Sequence, residues 1–502
     1  MTKKQIHTQE LSYRLKTSPE YSQANLAWIV SLVLSILLLL NSYSLTEQIS
    51  KPYVFIGFVV YALFTVIQFM VVLLIRRDLI RFGHIRGKTR ALGYIQLFSI
   101  ATGNVFIATA AFGLIKRHKS AEYTLAVYML LTQLFIIAAS GLNLFKPYVT
   151  DTFLPAMFVL VILAVFYLIT LMIVAKYVSS ERAHPRMRVI AYILILTSIT
   201  GNLFALLLAL TLLAKLRKAN YLSTSKWETV LERLTRSTTS MIGLFFIVFL
   251  FSISICSYLT FDYALAIDNN YGAILQQPSL AYPFGTDNFG RCLFSRIIFG
   301  ARISLVVGLL STAIPVVIGG VLGALAGYYG RRTDNIIMRL LDILYAIPGI
   351  LLAIAIIAAF GANTVNLILA LSIGAIPSYA RTMRANVMLV STYEFVEAAR
   401  AFGSSNWSII FKHIVPNSLA PMIVKSTLTI GAAVISTSSL SFLGLGVEPQ
   451  IPEWGNILKI GSAYLESHSY LAIYPGLAII MLVLSFNFLG DGLRDALDPK
   501  LD

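Results

Sequence analysis

Residues 397–416 read Glu397-Ala398-Ala399-Arg400-Ala401-Phe402-Gly403-Ser404-Ser405-Asn406-Trp407-Ser408-Ile409-Ile410-Phe411-Lys412-His413-Ile414-Val415-Pro416. The first five residues favour helix, Gly403 supplies a break, and Trp407 to His413 is a second, amphipathic piece. The pattern predicts two short helices at a bend, with Pro416 stopping the second. Apolar segments flank the stretch at 364–383 and 419–441, but none lies inside it. It therefore reads either as a rigid knob between two membrane segments or as an ordinary amphipathic loop on the membrane surface.

The rest of the chain agrees with a membrane setting. Of its 502 residues, 57% are hydrophobic and 12% are charged, against about 25% charged in an average soluble domain. That is too little polar material to cover several soluble domains, so a soluble enzyme and a disordered chain are both excluded. The net charge of +16 is not gathered on one soluble face, as in a nucleic-acid binder, so no nucleic-acid partner is expected. It sits in short runs between apolar segments. Twelve such segments approach the about 20 residues that cross a bilayer. They lie near 26–46, 53–75, 92–115, 123–145, 154–175, 189–213, 239–260, 303–328, 341–360, 364–383, 419–441 and 470–489. The first is longer than a signal-peptide core and is expected to stay as an anchor.

Basic residues mark the cytoplasmic side. Lys3, Lys4, Arg14 and Lys16 place the N-terminus inside, and Arg76, Arg77, Arg81, Arg86, Lys88 and Arg90 do the same for the loop after the second segment. Lys215, Arg217, Lys218, Lys226, Arg233 and Arg236 put 214–237 inside. Loops 46–52 and 146–153, with only Lys51 and Lys146, are expected outside.

The first half repeats itself. Lys51-Pro52-Tyr53-Val54 recurs as Lys146-Pro147-Tyr148-Val149, and Tyr94, Thr102, Gly103, Asn104 and Phe106 recur as Tyr192, Thr200, Gly201, Asn202 and Phe204. The duplicated units run over about 26–119 and 121–218, within an N-terminal membrane domain at 1–219. Three full spans per unit would invert the second, yet both carry the same charge bias. Segments 92–115 and 189–213 are therefore either broken at Thr-Gly-Asn and return to the same side, or are ordinary spans. Either way the crossings before residue 214 are even in number, four or six.

From about residue 220 a different text begins. Pro283-Phe284-Gly285-Thr286-Asp287-Asn288-Phe289-Gly290-Arg291 is followed by Ser295-Arg296 and by Gly300-Ala301-Arg302. Ser439 to Gly446 and Pro452-Glu453-Trp454-Gly455 follow later, and the chain ends on Gly490-Asp491-Gly492-Leu493-Arg494-Asp495-Ala496-Leu497-Asp498-Pro499. Together with 397–416, these blocks resemble the C-type permeases of peptide and nickel ABC importers, over about 220–502. Cys292 stands where that family usually has aspartate, and Val415 where it commonly has leucine.

The resemblance implies an all-α polytopic membrane protein. A six-helix type I ABC importer permease core at 220–502 would follow the duplicated N-terminal helical domain, for 10–12 transmembrane segments in all. It implies an EAA-type coupling loop at 388–416, with Glu397, Ala398, Ala399, Gly403, Ile414 and Pro416 shaping a knob that docks on an ATPase subunit. It marks Gly285, Thr286, Asp287, Gly290, Arg291, Ser295 and Arg296 as the family's external-loop motif. It implies a second permease subunit forming a heterodimer, two ATPase subunits carrying ATP and Mg, an extracellular solute-binding protein, and a bacterial plasma-membrane location with both termini cytoplasmic. Oligopeptides are the first-choice substrate, with dipeptides or a chelated metal such as nickel next.

No chemistry of another kind competes. Gly83 to Thr89 ends in Gly-Lys-Thr but is one residue short of a phosphate-binding loop. The six histidines lack metal-ligand spacing, and Cys256 and Cys292 are too few for a disulfide framework. No catalytic or metal residue is assigned, and no cofactor is expected on this chain. The rival is a secondary transporter or channel not driven by ATP. Such proteins place ionisable groups at mid-membrane, whereas Lys425, Arg381 and Arg384 lie near the ends of their segments. Ser426, Thr427, Thr429, Ser436 and Thr437 give 419–441 a run of small hydroxyls, which suits either a polar pathway lining or tight helix packing. The purpose of 1–219 is open among bracing the complex, contacting a lipid or partner, and regulation.

Overall fold

Backbone polar groups in hydrocarbon must be satisfied within the chain, so the long apolar segments fold as helices. The computed structural model describes residues 15, 18–44, 49–50, 52–116, 119–146, 149–178, 184–218 and 226–498. Lys3, Lys4, Arg14, Lys16, Lys51 and the boundary at 219/220 lie outside the described residues. Among the described residues, eight helices are long and apolar enough to cross a membrane, or nine if one bent pair counts as a span.

The first half contributes α1 (Pro19–Ser42), α2 (Pro52–Phe82), α3 (Gly87–Gln96), α4 (Val105–Ile115), α5 (Ala121–Gly141), α6 (Phe153–Tyr177), α7 (Met187–Thr197) and α8 (Leu203–Lys218). A two-residue antiparallel pair, Tyr43–Ser44 with Ile49–Ser50, lies between α1 and α2. Segment 92–115 is not a span. Its chain breaks at Gly103, whose φ of +72° needs glycine. Asn104 then caps α4 by accepting from the Ile107 N–H at 3.0 Å, while its Nδ2 donates to Ser31 Oγ. Arg90 Nη1 donates to the Leu114 carbonyl at 2.9 Å, so the two ends of the segment lie side by side and the segment is a helical hairpin. Segment 189–213 breaks at the same triplet, at Gly201 with φ +84°. The 11 residues of α7 cover only about 16 Å.

The second half contributes α9 (Lys226–Arg236), α10 (Thr238–Thr260), α11 (Leu293–Tyr329), α12 (Arg331–Tyr345), α13 (Gly349–Phe360), α14 (Thr364–Val390), α15 (Glu394–Ala401), α16 (Asn406–Phe442), α17 (Trp454–Ser462) and α18 (Tyr470–Leu497). Gly319, Gly323 and Gly327 recur every fourth residue on α11 and bring α14 against it, running parallel. A methyl on Gly323 would stand 2.3 Å from the Ala380 carbonyl, and one on Gly327 2.8 Å from that of Arg384. This is small-residue packing of the kind that lets membrane helices approach closely.

The sequence expected a straight span at 341–360, but α12 and α13 meet at 77°. Asp334 at the start of this pair takes both Arg384 nitrogens at 2.5 Å, and Asn366 Nδ2 donates to the Phe360 carbonyl at 2.9 Å. The bent pair therefore runs antiparallel along nearly all of α14. α18 runs antiparallel to both α10 and α16, since Gly492 faces Ser240 while Ser485 faces Gly243, and Gly490 faces Thr427 while Val483 faces Gly431.

Packing divides the chain into two compact units. One comprises residues 1–131, 166–194 and 207–222; the other comprises 132–165, 195–206 and 223–502. The second unit thus takes in parts of α5 and α6 together with the whole of the second-half helix set.

Candidate functional site

The knob is built from local sequence. Glu394 and Glu397 sit in the first turn of α15, where acids suit the helix dipole. The helix ends in a Schellman turn: the Gly403 N–H bonds the Arg400 carbonyl at 3.0 Å and the Ser404 N–H bonds the Ala399 carbonyl at 3.1 Å. Gly403 supplies the left-handed residue, φ +76°, in open space. Ser405 then accepts from the Ser408 N–H and starts α16.

The knob has an anchored face and a free one. Val396, Ile409, Ile410 and Ile414 are buried with Ala324 of α11 and with Tyr379, Met383 and Val387 of α14. Burial of each large side chain is worth about 1.5–3 kcal/mol, so the knob is held firmly to those helices. On the free face, Phe402 is 89% exposed and Trp407 is 59% exposed, the latter stacked on Phe411 at 5.3 Å. Glu397, Ala398 and Arg400 are exposed too.

Pro416 does not stop the second helix. α16 runs unbroken from Asn406 to Phe442 through a π turn at Ile409–Ile414. Pro416 has no N–H to return to the Lys412 carbonyl, and the widened turn absorbs that missing bond.

The motif at 285–296 is a buried scaffold rather than an exposed contact. Gly290, φ +76°, has no room for a methyl, which would stand 1.7 Å from the Asn270 carbonyl. Gly285, φ +79°, is crowded by Tyr470 and by the Gln276 carbonyl. Thr286 Oγ1 accepts from the Gln276 N–H at 2.8 Å and donates to the Ala273 carbonyl. Asp287 accepts from the N–H groups of Phe289 and Arg291, and from Arg291 Nε at 2.8 Å. Arg296, fully buried, bonds the Ala266 carbonyl through Nη1 and lies 3.7 Å from Asp287 through Nε. Ser295 accepts from Lys146 Nζ at 2.7 Å, a partner that sequence reasoning missed because 149 positions separate the two. Burial pushes the Lys146 amine below its ordinary range.

The hydroxyls of 419–441 divide. Thr427 and Thr437 are buried in helix packing, Thr427 against Gly490. Ser426, Thr427 and Thr429 donate back to carbonyls of their own helix, as serine and threonine do in membrane helices. Ser436 is half-buried. Lys425 and Thr429 line an open groove with Val424, Leu428, Asp491 and Arg494. Lys425 Nζ donates to the Ser378 carbonyl, Ser378 Oγ and Thr382 Oγ1 at 2.6–2.8 Å, tying α16 to α14.

Glu453, also missed, is fully buried where it caps α17, accepting from the Asn456 N–H at 3.1 Å and from Ser438 Oγ at 3.3 Å. Burial raises its carboxyl above the ordinary range, against the opposing pull of those bonds.

Residues 319–502 match the family model of the binding-protein-dependent transport system inner membrane component. The dipeptide transport system permease protein DppC of Alkalihalophilus pseudofirmus is 42% identical over 281 residues, which is 56% of this chain and 92% of that protein. The glutathione transport system permease protein GsiD of Pectobacterium atrosepticum is 42% identical over 275 residues, 55% of this chain and 91% of that one. A solved inward-facing methionine ABC transporter is similar over 40% of this chain and 97% of its own, at 20% identity and a TM-score of 0.34. With relatives of that identity covered almost end to end, the chain belongs to the family of ABC importer permeases and is one of its multi-pass membrane subunits.

Proposed function

We propose that this permease imports peptides by coupling ATP hydrolysis on partner subunits to movement of its own helices. Oligopeptides are the first-choice substrate, and dipeptides, glutathione-like peptides or a chelated metal follow. The observation that carries the reading is the two-faced knob: an exposed aromatic ridge on one side, and on the other Val396, Ile409, Ile410 and Ile414 locked to α11 and α14. A partner gripping the ridge would move α14, to which Lys425 is bonded, and α16 itself, which lines the groove.

The partners follow from the family. They are a second permease subunit in a heterodimer, two ATPase subunits holding ATP and Mg, and an extracellular solute-binding protein. The knob, Arg331, Arg332 and the end of α18 lie at one end of the second unit, which we assign to the cytoplasm along with both termini. Reconstitution with the ATPase and binding-protein subunits tests the reading. Labelled peptide should accumulate only with hydrolysable ATP. Uptake that persists with a hydrolysis-dead ATPase would instead favour a secondary transporter or channel.

A further inference from the structure

The corner between α5 and α6, residues 140–146 and 149–152, is built onto the end of α10 and the loop that carries the 285–296 motif. Asn143 Nδ2 donates to the Thr260 carbonyl at 2.7 Å, Ser140 Oγ to Thr260 Oγ1 at 3.2 Å, and Thr152 Oγ1 to the Leu259 carbonyl at 3.0 Å. Leu142 packs on the cluster of Phe261, Leu265, Cys292 and Phe294. At the centre is Lys146, only 7% exposed. Its amine bonds Ser295, faces Cys292, and sits 5.3 Å and 5.8 Å from the rings of Phe261 and Phe294.

That placement is costly. Burying a cation carries a large penalty, and the N-terminus of a helix is the wrong end for one. Cys292, the N-cap of the 37-residue α11, makes no capping bond. The thiol stands where family members usually have the carboxylate that would serve both the cap and the amine. Arg291 and Arg296 already share Asp287 close by. A buried amine persists only where its surroundings hold it, and here Ser295, Cys292, the rings of Phe261 and Phe294, and the charge of Asp262 do so. The dipeptide relative is matched over 92% of its length, so the remainder of this chain has next to no counterpart in it.

We infer that Lys146 is a positioning residue through which this corner braces loop 261–296, whose exposed stretch 269–280 lies at the end of α10 and α11 opposite the knob and would receive the substrate-loaded binding protein. The brace stands on contacts alone, whereas the delivery role rests on the importer reading above.

Hydrogen exchange of the full chain in nanodiscs reads the brace. Lys146→Met should speed exchange at the Asp287, Gly290 and Leu293 amides about tenfold, the loss of one charge-assisted bond, and leave α14 unchanged. Cys292→Asp keeps the Lys146–Ser295 bond and adds a carboxylate, so it should slow exchange at those amides. The slowing should vanish in the double variant. Uptake titrated with binding protein should show a half-saturating concentration raised several-fold by Lys146→Met, restored by Lys146→Arg, with maximal rate within about twofold.

Unchanged exchange in both single variants, or a Cys292→Asp effect independent of residue 146, overturns the brace. An unchanged half-saturating concentration overturns its role in delivery. If Lys146→Met does not insert, Cys292→Asp alone decides through the slowed exchange. A wild-type complex that shows no ATP-driven uptake refutes the importer reading while the exchange result still judges the brace.

Discussion

Gly403 separates two reasons for which a knob can need glycine. Its φ of +76° is one that side chains resist, yet a methyl there would meet nothing within 4 Å. The requirement is therefore conformational and not steric. A left-handed residue costs an alanine about 1–2 kcal/mol, of which about 0.4–1 is returned through a stiffer unfolded chain. The net of about 1 kcal/mol lowers the ratio of native to open turn about fivefold. Because Phe402 beside it is 89% exposed, little packing holds the turn against that cost. Apparent affinity for an ATPase subunit should fall by up to that factor, since the bent knob is the form expected to bind. Gly403→Asn should come close to wild type, because asparagine tolerates this region, and Gly403→Val should be worst, because a branched side chain does not. The assay is binding of purified ATPase subunits to the reconstituted permease, with peptide uptake alongside. The order Gly, Asn, Ala, Val is the signature. Asparagine as damaging as valine, or alanine without effect, would refute the reasoning.

Gly323→Ala should lower the thermal midpoint in detergent, by overpacking worth about 1–3 kcal/mol. Gly320→Ala, whose methyl would sit 3.8 Å from Met422, should leave it nearly unchanged. Equal losses at the two positions would count against close α11–α14 packing as the reason. Phe402→Ala and Trp407→Ala should shift stability by no more than about 0.5 kcal/mol while weakening ATPase binding tenfold or more, as loss of an interface anchor does; calorimetry and pull-down together check this. Glu453 has a carboxyl raised by burial, so its protonated form is the stabilising one. The benefit is complete below the ordinary carboxylate range and is lost as pH climbs through the raised value. Wild type should therefore gain stability over Glu453→Gln as pH is lowered through that raised value toward the ordinary carboxylate range. Parallel pH profiles for the two proteins would contradict that.

What the sequence could reveal followed the range of the forces involved. Span positions are a local property of composition, and the eight long apolar helices fall where the apolar runs are. The knob was legible for the same reason, because Glu394 to Ala401, Gly403 and Ser405 act through bonds to residues within five positions. Local rules failed where two outcomes satisfied them equally. A stretch the length of 92–115 suits a span and a hairpin alike, and the contact of Arg90 with Leu114 decides for the hairpin. Proline reads as a stop, but a π turn lets Pro416 remain inside α16.

By itself, then, the sequence determined a multi-pass helical chain with a permease second half and a bent loop at 397–416, since propensity, hydrophobicity and glycine geometry are written residue by residue. Only the tertiary structure decided that the 285–296 motif is a buried scaffold and that residues 132–165 pack with the transport core. It also decided that Lys146 ends on Ser295. Those outcomes depend on which distant groups share a dehydrated space, where an amine or a carboxylate must find its partner across the fold because water is not there to supply one.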